Sequence, residues 1–278
     1  MATALATPAA TQRDRSPLEF WHLLNLDAPS VAALWTGFFA WQFHVPLSFR
    51  TGVTLALAVW LLYTVDRLAD AWRGSVAQER HRFHKRHMRS LAAAALYVGP
   101  LLAVLTWHLA SPVRTGWIVL ALPLAAYLVA VHLAELPLAK EPLVAAFFAA
   151  AAAMPEVVSH RVQTAGLLHA MALFGVLCWL NCAALARWEG TLAQADVCTA
   201  WLGRKLPEAL AVYALAAALF RVPQGVGIGL AGIAAAGCLL VLDRLRPRIQ
   251  STTLRALADA ALLTPLLVWP VLAVFRAP

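Results

Sequence analysis

The sequence predicts an all-α protein, a polytopic bundle of about nine transmembrane helices around a central cavity. The chain is 62% hydrophobic and 13% charged, whereas an ordinary soluble domain is roughly 45–50% apolar and about 25% charged. Apolar runs of about the length that crosses a bilayer recur from residue 30 to residue 275, with short gaps between them. These runs must be helical, because an open strand edge in lipid leaves backbone groups unpaired.

The apolar runs predict a single membrane domain that follows a short polar N-terminal segment. Residues 1–27 are predicted to be a cytosolic N-terminal tail, and residues 28–278 a single nine-helix domain of two pseudo-repeated halves. A span requires about 20 apolar residues, within a range of about 17–25. The predicted spans cover residues 29–47, 51–71, 90–110, 114–133, 142–158, 165–187, 206–221, 224–242 and 257–275.

The basic residues indicate how the bundle is oriented. With the N-terminus in the cytoplasm, 17 of the 22 Lys and Arg residues fall on the cytoplasmic side of these spans, in agreement with the positive-inside bias. The net charge of +8 is therefore a signal of topology and of contact with membrane lipids, and we expect no nucleic-acid partner. We expect a bacterial inner-membrane protein whose N-terminus and active-site loops are cytoplasmic.

Acidic side chains end the second predicted span. Asp66 and Asp70 are one helical turn apart and share a helix face, and Tyr63 and Arg73 extend that stripe. Charged residues inside a span are costly and mark a functional site by default. Two carboxylates at this spacing can bind a hard cation such as Mg²⁺. The alternative is a helix end that has left the membrane, with both carboxylates solvated.

The sixth predicted span ends in a related pattern. Asn181 lies inside an apolar run, and Glu189 lies about two turns later on the same face. Aligning Trp60 with Trp179 places Asp70 on Glu189, which indicates a weak internal repeat. The repeat predicts that the two stripes face each other across a cavity. The alternative is an interhelical hydrogen bond from Asn181, with Glu189 as an interfacial charge.

At these positions the chain resembles the UbiA prenyltransferase superfamily, as a divergent member. That family has nine transmembrane helices and two aspartate-rich motifs at the cytosolic ends of helices two and six, where Mg²⁺ binds an isoprenyl diphosphate. Asp66 and Asp70 match the later positions of the first motif, whose Asn position is Leu62 here. The second motif departs further, because Asn181 and Glu189 replace its acidic pair. The resemblance implies that the catalytic residues and Mg²⁺ ligands are Asp66, Asp70, Asn181 and Glu189.

Residues near these motifs are expected to bind the diphosphate. The resemblance implies a basic contact from the loop before helix five, where Lys140 lies, and a cap formed by the loop after helix two. The expected substrate-binding residues are Tyr63, Arg73, Arg80, Arg82, Lys140 and Arg187. The alternatives are a snorkelling lysine and a loop anchored on the lipid surface. Arg255 and Asp259 are one turn apart at the start of the ninth span, and we expect them to form an ion pair with a secondary part in the site.

Three functions remain open at this point. In the first, the chain ionises an isoprenyl diphosphate and transfers the prenyl group to a lipophilic, aromatic acceptor, with Mg²⁺ as cofactor. In the second, it is a UbiA-type terpene cyclase that needs no acceptor, since Asn181 and Glu189 are similar to part of the metal motif of soluble terpene synthases. In the third, it is a non-enzymatic polytopic membrane protein or a transporter, which leaves the acidic stripes unexplained.

Overall fold

The computed structural model describes residues 16–72, 83, 85–132, 139–159, 164–219 and 225–276. Every regular element in this part of the chain is helical, so the all-α prediction is confirmed. The α-helices are α1 Pro17–Leu23, α2 Asp27–Gln42, α3 Phe49–Trp72, α4 Met88–Trp107, α5 Ser111–His132, α6 Lys140–Ala152, α7 Met154–Val157, α8 Thr164–Trp188, α9 Val197–Arg204, α10 Leu206–Leu219, α11 Val226–Leu245, α12 Ser251–Ala260 and α13 Pro265–Arg276. Two 3₁₀ turns, Arg246–Arg248 and Ala261–Leu263, follow α11 and α12.

Helices occupy each of the nine predicted spans, and two of those spans are broken. The fifth divides into α6 and α7, and the ninth divides into α12 and α13. Pro155 and Pro265 lie in the first turn after each break, where proline is tolerated because the amide it lacks has no intrahelical partner. Five segments of the described chain are long and apolar enough to cross a membrane: Phe49–Ala69, Met88–Trp107, Ala165–Trp188, Val226–Arg248 and Ser251–Val274. The full count of nine spans stays a prediction.

The core of the bundle lies where α2 packs against α8. Trp35, Phe38, Phe39 and Phe174 are fully buried there. The rings of Trp35 and Phe174 stack with centroids 4.1 Å apart, and the Trp35 indole N–H donates a hydrogen bond to the Leu262 carbonyl at 2.8 Å. The same helix α8 also packs against α6, α9, α10, α11 and α12. It is therefore the central helix of the bundle.

Small residues let α10 and α11 approach closely. A Cβ at Gly232 would overlap the Tyr213 hydroxyl, and one at Gly229 would lie 3.0 Å from the Ala217 carbonyl oxygen. Close backbone approach through small residues is typical of helix pairs in membranes, since lipid offers no hydrophobic driving force between helices. The glycines of α11 thus determine how tightly this pair packs.

The helices α4 and α5 lie at the periphery. Large side chains on them point away from the bundle, including Leu96, Tyr97 and Trp107 at 75%, 80% and 72% exposure. An apolar surface of this extent is unusual for a soluble protein, and it matches the surface that lipid chains would cover.

Candidate functional site

Polar side chains gather at one end of the bundle, which we call the polar end. The C-terminal parts of α3 and α8 meet there with the start of α2 and with α12. Contacts between α8 and α12 fix the arrangement: Asn181 reaches Asp259, and Glu189 reaches Arg255. Both predicted motifs therefore end on the same side of the protein.

Three titratable side chains form the innermost group of the polar end, and we call His22, Asp27 and Asp259 the His–Asp cluster. The Nδ1 atom of His22 lies 2.5 Å from Oδ2 of Asp27 and 3.6 Å from Oδ2 of Asp259. One donor atom from each residue lies within 4.8 Å of the other two. The side chains of His22 and Asp27 are almost completely buried. The group is compact enough to hold one cation between its donors.

The start of α1 places His22 in this cluster. Ser16 and Glu19 form a capping box, in which each side chain binds the backbone N–H of the other, and such boxes stabilise helix N-termini. The Glu19 carboxylate also accepts a 2.6 Å hydrogen bond from the Thr253 hydroxyl. This contact docks α1 on α12, so that His22 faces Asp259.

A buried turn then connects α1 to α2. Asn25 adopts a left-handed φ of 56°, a conformation that Asn tolerates better than most residues, and its amide donates to the Thr64 hydroxyl of α3 at 3.3 Å. The Trp60 indole N–H donates to the Leu24 carbonyl at 3.0 Å. These contacts hold Asp27, the first residue of α2, beside His22. Residues 16–27 of the predicted tail are therefore packed into the bundle.

The charges of His22 and Asp27 stabilise each other. Burial lowers the pKa of His22, but its hydrogen bonds with Asp259 and Asp27 outweigh burial and raise the pKa above the ordinary 6.5. Burial raises the pKa of Asp27, but the hydrogen bond and charge of His22 outweigh burial and lower the pKa below the ordinary 3.8. A protonated His22 therefore forms an ion pair with Asp27 in a buried setting.

The predicted ligand Asn181 lies at the edge of the His–Asp cluster. Its amide Nδ2 donates to Oδ1 of Asp259 at 3.1 Å. The residue is only 6% exposed, and its Oδ1 atom is buried with no hydrogen-bond partner among the described residues. The interhelical hydrogen bond expected from the sequence is thus present, and the carbonyl oxygen of the same amide is left unsatisfied.

The predicted ligand Glu189 forms an ion pair with Arg255. Both side chains are largely buried, with 14% and 16% exposure. Arg255 was expected to pair with Asp259 within the same helix, but its ion pair instead joins α12 to α8. The Asp259 side chain faces His22 and Asn181, whereas Glu189 lies at the adjacent end of α8. Arg255 therefore forms its ion pair with Glu189.

The second predicted span contributes Tyr63 and Arg67 to the polar end. Tyr63 is close enough to Asp27 and Asp259 to interact electrostatically with both, and it also interacts with Cys182 of α8. Arg67 interacts electrostatically with Arg255. The side chains of α3 and α8 therefore approach each other around the His–Asp cluster.

The other predicted residues of this motif are placed differently. Asp66 is partly buried on α3 and interacts electrostatically with Tyr127 of α5. The backbone of Asp70 belongs to α3, but its side chain is outside the described part of the chain. The remaining predictions that lie outside the described residues are Arg73, Arg80 and Arg82.

Two further basic residues were predicted to bind substrate. Lys140 is the exposed first residue of α6. The Arg187 guanidinium binds within the bundle: its Nε donates to Asp243 of α11 at 3.2 Å, and its Nη1 donates to the Gly203 carbonyl of α9 at 2.9 Å. The contacts of Arg187 thus join three helices, whereas Lys140 is open to solvent.

A pair of carboxyl groups lies beside Lys140. Burial and a hydrogen bond with Asp196 raise the pKa of Glu141 above its ordinary value. Asp196 caps α9 by accepting hydrogen bonds from the Cys198 and Thr199 amides at 2.9 and 3.1 Å. Burial raises the pKa of Asp196, but its hydrogen bonds with Thr199 outweigh burial and lower the pKa below the ordinary value. The hydrogen bond between the two carboxyl groups therefore raises the pKa of Glu141 and lowers the pKa of Asp196.

The sequence interpretation missed His22 and Asp27. They lie in the segment taken as a tail, because a helix of 7 residues is far too short to register as a span. The available signal was the pattern Ser16-x-x-Glu19, which marks a helix N-terminus, followed by an acidic residue directly before the first apolar run.

Comparison with known proteins found no matching family model, no curated relative and no similar solved structure.

Proposed function

We propose that this chain is a membrane-embedded enzyme that ionises an isoprenyl diphosphate and transfers the prenyl group to a lipophilic acceptor. The observation that supports the proposal best is the approach of α3 and α8 at the polar end. Tyr63 of α3 lies near Cys182 of α8, and Arg67 of α3 lies near Arg255, which forms an ion pair with Glu189 of α8. Most buried residues elsewhere in the described bundle are apolar, although Gln42 and Glu156 are also fully buried; such an interior suits a substrate with a charged head and a hydrocarbon chain.

The residues present fit a magnesium ion only in part. Mg²⁺ takes oxygen ligands and usually one or two carboxylates, and Asp66 and Asp70, one turn apart, supply that pair. The two donors predicted on α8 are already bound to α12: Asn181 through Asp259, and Glu189 through Arg255. We therefore keep Asp66 and Asp70 as the proposed Mg²⁺ ligands and do not count Asn181 and Glu189, which bind Asp259 and Arg255 of α12, among the ligands of that ion.

In this proposal the protein residues have three tasks. Mg²⁺, when bound, would neutralise charge on the leaving diphosphate. Lys140 and Arg67 add positive charge at the same end. The apolar helices hold the isoprenyl chain away from water, which protects a reactive allylic cation from hydrolysis.

The proposal is tested with purified protein in lipid nanodiscs, supplied with Mg²⁺ and farnesyl or geranylgeranyl diphosphate. We expect consumption of the diphosphate that depends on a lipophilic aromatic acceptor. Asp66→Asn should lower the rate at least about 100-fold, since it removes one of the two proposed carboxylate ligands of Mg²⁺. Glu208→Gln, an exposed carboxylate on α10, is the matched control and should leave the rate unchanged.

Other outcomes select the alternatives. A cyclic hydrocarbon or alcohol formed without acceptor would assign the chain to terpene cyclisation. No consumption of any isoprenyl diphosphate would remove the enzymatic proposal and leave a transporter or structural membrane protein. Full activity of Asp66→Asn would show that the carboxylates of α3 do not carry the reaction.

A further inference from the structure

We propose that the His–Asp cluster binds a divalent transition-metal ion, with the carbonyl oxygen of Asn181 as a fourth donor. The site lies where α1, α2, α8 and α12 meet. It is formed by residues other than Asp66 and Asp70, and it does not depend on the proposed enzymatic function.

The distances within the cluster suit a single ion. Ligands at about 2.0–2.2 Å from a tetrahedral metal lie roughly 3.4 Å apart. Nδ1 of His22 is already 3.6 Å from Oδ2 of Asp259, and all three donors fall within 4.8 Å of one another. The short His22–Asp27 contact of 2.5 Å must open by about 1 Å, which replaces a shared proton by the metal.

An independent observation is the unsatisfied oxygen of Asn181. A buried carbonyl oxygen normally has a hydrogen-bond partner, and leaving one without costs about 1–3 kcal/mol. The amide of Asn181 is bound to Asp259, a member of the cluster, and its Oδ1 atom is buried with no partner among the described residues. Because Nδ2 faces the cluster in this arrangement, Asn181 becomes an oxygen donor only after a half-turn of the carboxamide, in which a metal ion replaces the hydrogen bond to Asp259 and Nδ2 moves to the side that Oδ1 occupies now.

The charges around the cluster favour a dication. Asp27 and Asp259 bring two negative charges into a buried space, while His22 and Asn181 are neutral when they act as ligands. Arg255 of α12 forms an ion pair with Glu189 and also interacts electrostatically with Asp27 and Asp259. A charge of +2 held between the donors would balance the two carboxylates directly.

The type of donor selects the metal. Mg²⁺ and Ca²⁺ take oxygen ligands, whereas imidazole nitrogen combined with carboxylate is suited to Zn²⁺, Mn²⁺, Fe²⁺ or Co²⁺. His22 contributes nitrogen, so the site should discriminate against Mg²⁺. Such an ion would join α1 to α12, across most of the chain length, and would bind the folded protein only.

The test is a titration of the purified full chain, first stripped with a chelator, in excess Mg²⁺ so that oxygen-only sites are filled. Co²⁺ is the probe, because a nitrogen- and oxygen-ligated ion has a visible absorption band. We expect one equivalent to bind and the melting temperature to rise with Co²⁺ concentration. His22→Gln and Asp27→Asn should each weaken binding at least about 100-fold. The exposed His44→Gln is the matched control and should bind as the parent does.

A second variant guards against misfolding. If His22→Gln does not retain a helical circular-dichroism spectrum and a single elution peak, Asn181→Leu is used instead, because it removes the fourth donor and leaves α1 unchanged. We expect it to weaken Co²⁺ binding about 10-fold. The proposal is overturned if the parent binds no Co²⁺ in excess Mg²⁺, or if the cluster variants bind it as tightly as His44→Gln. Neither result bears on the diphosphate assay.

Discussion

The helices α4 and α8 have almost the same mean hydropathy but opposite surroundings. In the most apolar 18-residue stretch of each helix, 6% of α4 is buried inside the protein, whereas 56% of α8 is buried. The chief contact of α4 is with α3, while α8 packs against most of the bundle. Hydropathy measures the free energy that an apolar helix gains when it leaves water. Both helices gain this free energy, because lipid surroundings provide it as well as a protein interior does. The difference shows that packing and polar contacts, rather than hydropathy, select the central helix.

Substitutions of matched aromatic residues should show the largest contrast between these two helices. Phe174→Ala in α8 removes a fully buried ring stacked on Trp35 at 4.1 Å. Because the unfolded helix remains in lipid, most of the cost is the cavity, and we expect a loss of about 3 kcal/mol, the low end for such a change. Tyr97→Ala in α4, where the side chain is 80% exposed, should change stability by less than about 0.5 kcal/mol.

The measurement is the free energy of unfolding of both variants in the same detergent micelle. Equal losses for the two variants would contradict the division into a central and a peripheral helix. A large loss for Tyr97→Ala alone would mean that another protein surface covers α4.

The ion pair at the end of α8 should give the next largest effect. Glu189→Gln leaves the Arg255 guanidinium largely buried without its carboxylate, and an uncompensated buried charge is costly. Since both side chains retain some exposure, we expect a loss of about 2 kcal/mol, less than for a fully buried pair. The double variant Glu189→Gln with Arg255→Gln should recover part of this loss.

A double-mutant cycle measures this coupling directly. Independent, additive losses from Glu189→Gln and Arg255→Gln would show that the pair does not stabilise the contact of α8 with α12. Arg89→Gln, at the exposed start of α4, is the control and should be nearly neutral.

The smallest expected effect is a dependence of stability on pH that comes from the polar end. The raised pKa of His22 means that its contribution is complete below pH 6.5 and is lost as the pH rises through the folded-state pKa. The lowered pKa of Asp27 means that its contribution is present above pH 3.8 and is lost as the pH falls through the folded-state pKa. The pair therefore stabilises the protein between these limits.

Unfolding free energies measured from acid to alkaline pH, with a chelator present, check this expectation. His22→Gln should flatten the alkaline decline, and the peripheral Tyr97→Ala should not. An alkaline decline of unchanged size in His22→Gln would mean that another group titrates in this range.

Much of the architecture was accessible from composition and hydropathy. All nine predicted spans coincide with helices, and the boundaries of most agree within a few residues. The prediction succeeds because the backbone of an apolar run must form its hydrogen bonds internally, and few structures other than a helix allow this. The breaks at Pro155 and Pro265 were not predicted, since apolar sequence continues through both. The docked helix α1 was missed because its 7 residues bury only one face.

The candidate site was predicted less completely. Asn181 was expected to need a partner inside the apolar run, and it has one in Asp259 of α12. Glu189 forms an ion pair with Arg255 of the same helix, and the predicted facing of the two acidic stripes stays a prediction. The metal-binding role of Asp66 and Asp70 stays a prediction. Spacing along a helix identifies which side chains share a face, but it does not identify the helix that lies opposite.

The fold class, the helical content and the general position of the polar residues follow from local properties of the chain. The length of an apolar run and the charge of a residue can be read from the sequence without knowing which helices are in contact. The grouping of His22 and Asp27 with Asp259, and the choice of α8 over α4 as the centre, arise only in the folded bundle. Both depend on side chains that are far apart in the chain, and their contact energies exist only once the helices have packed together.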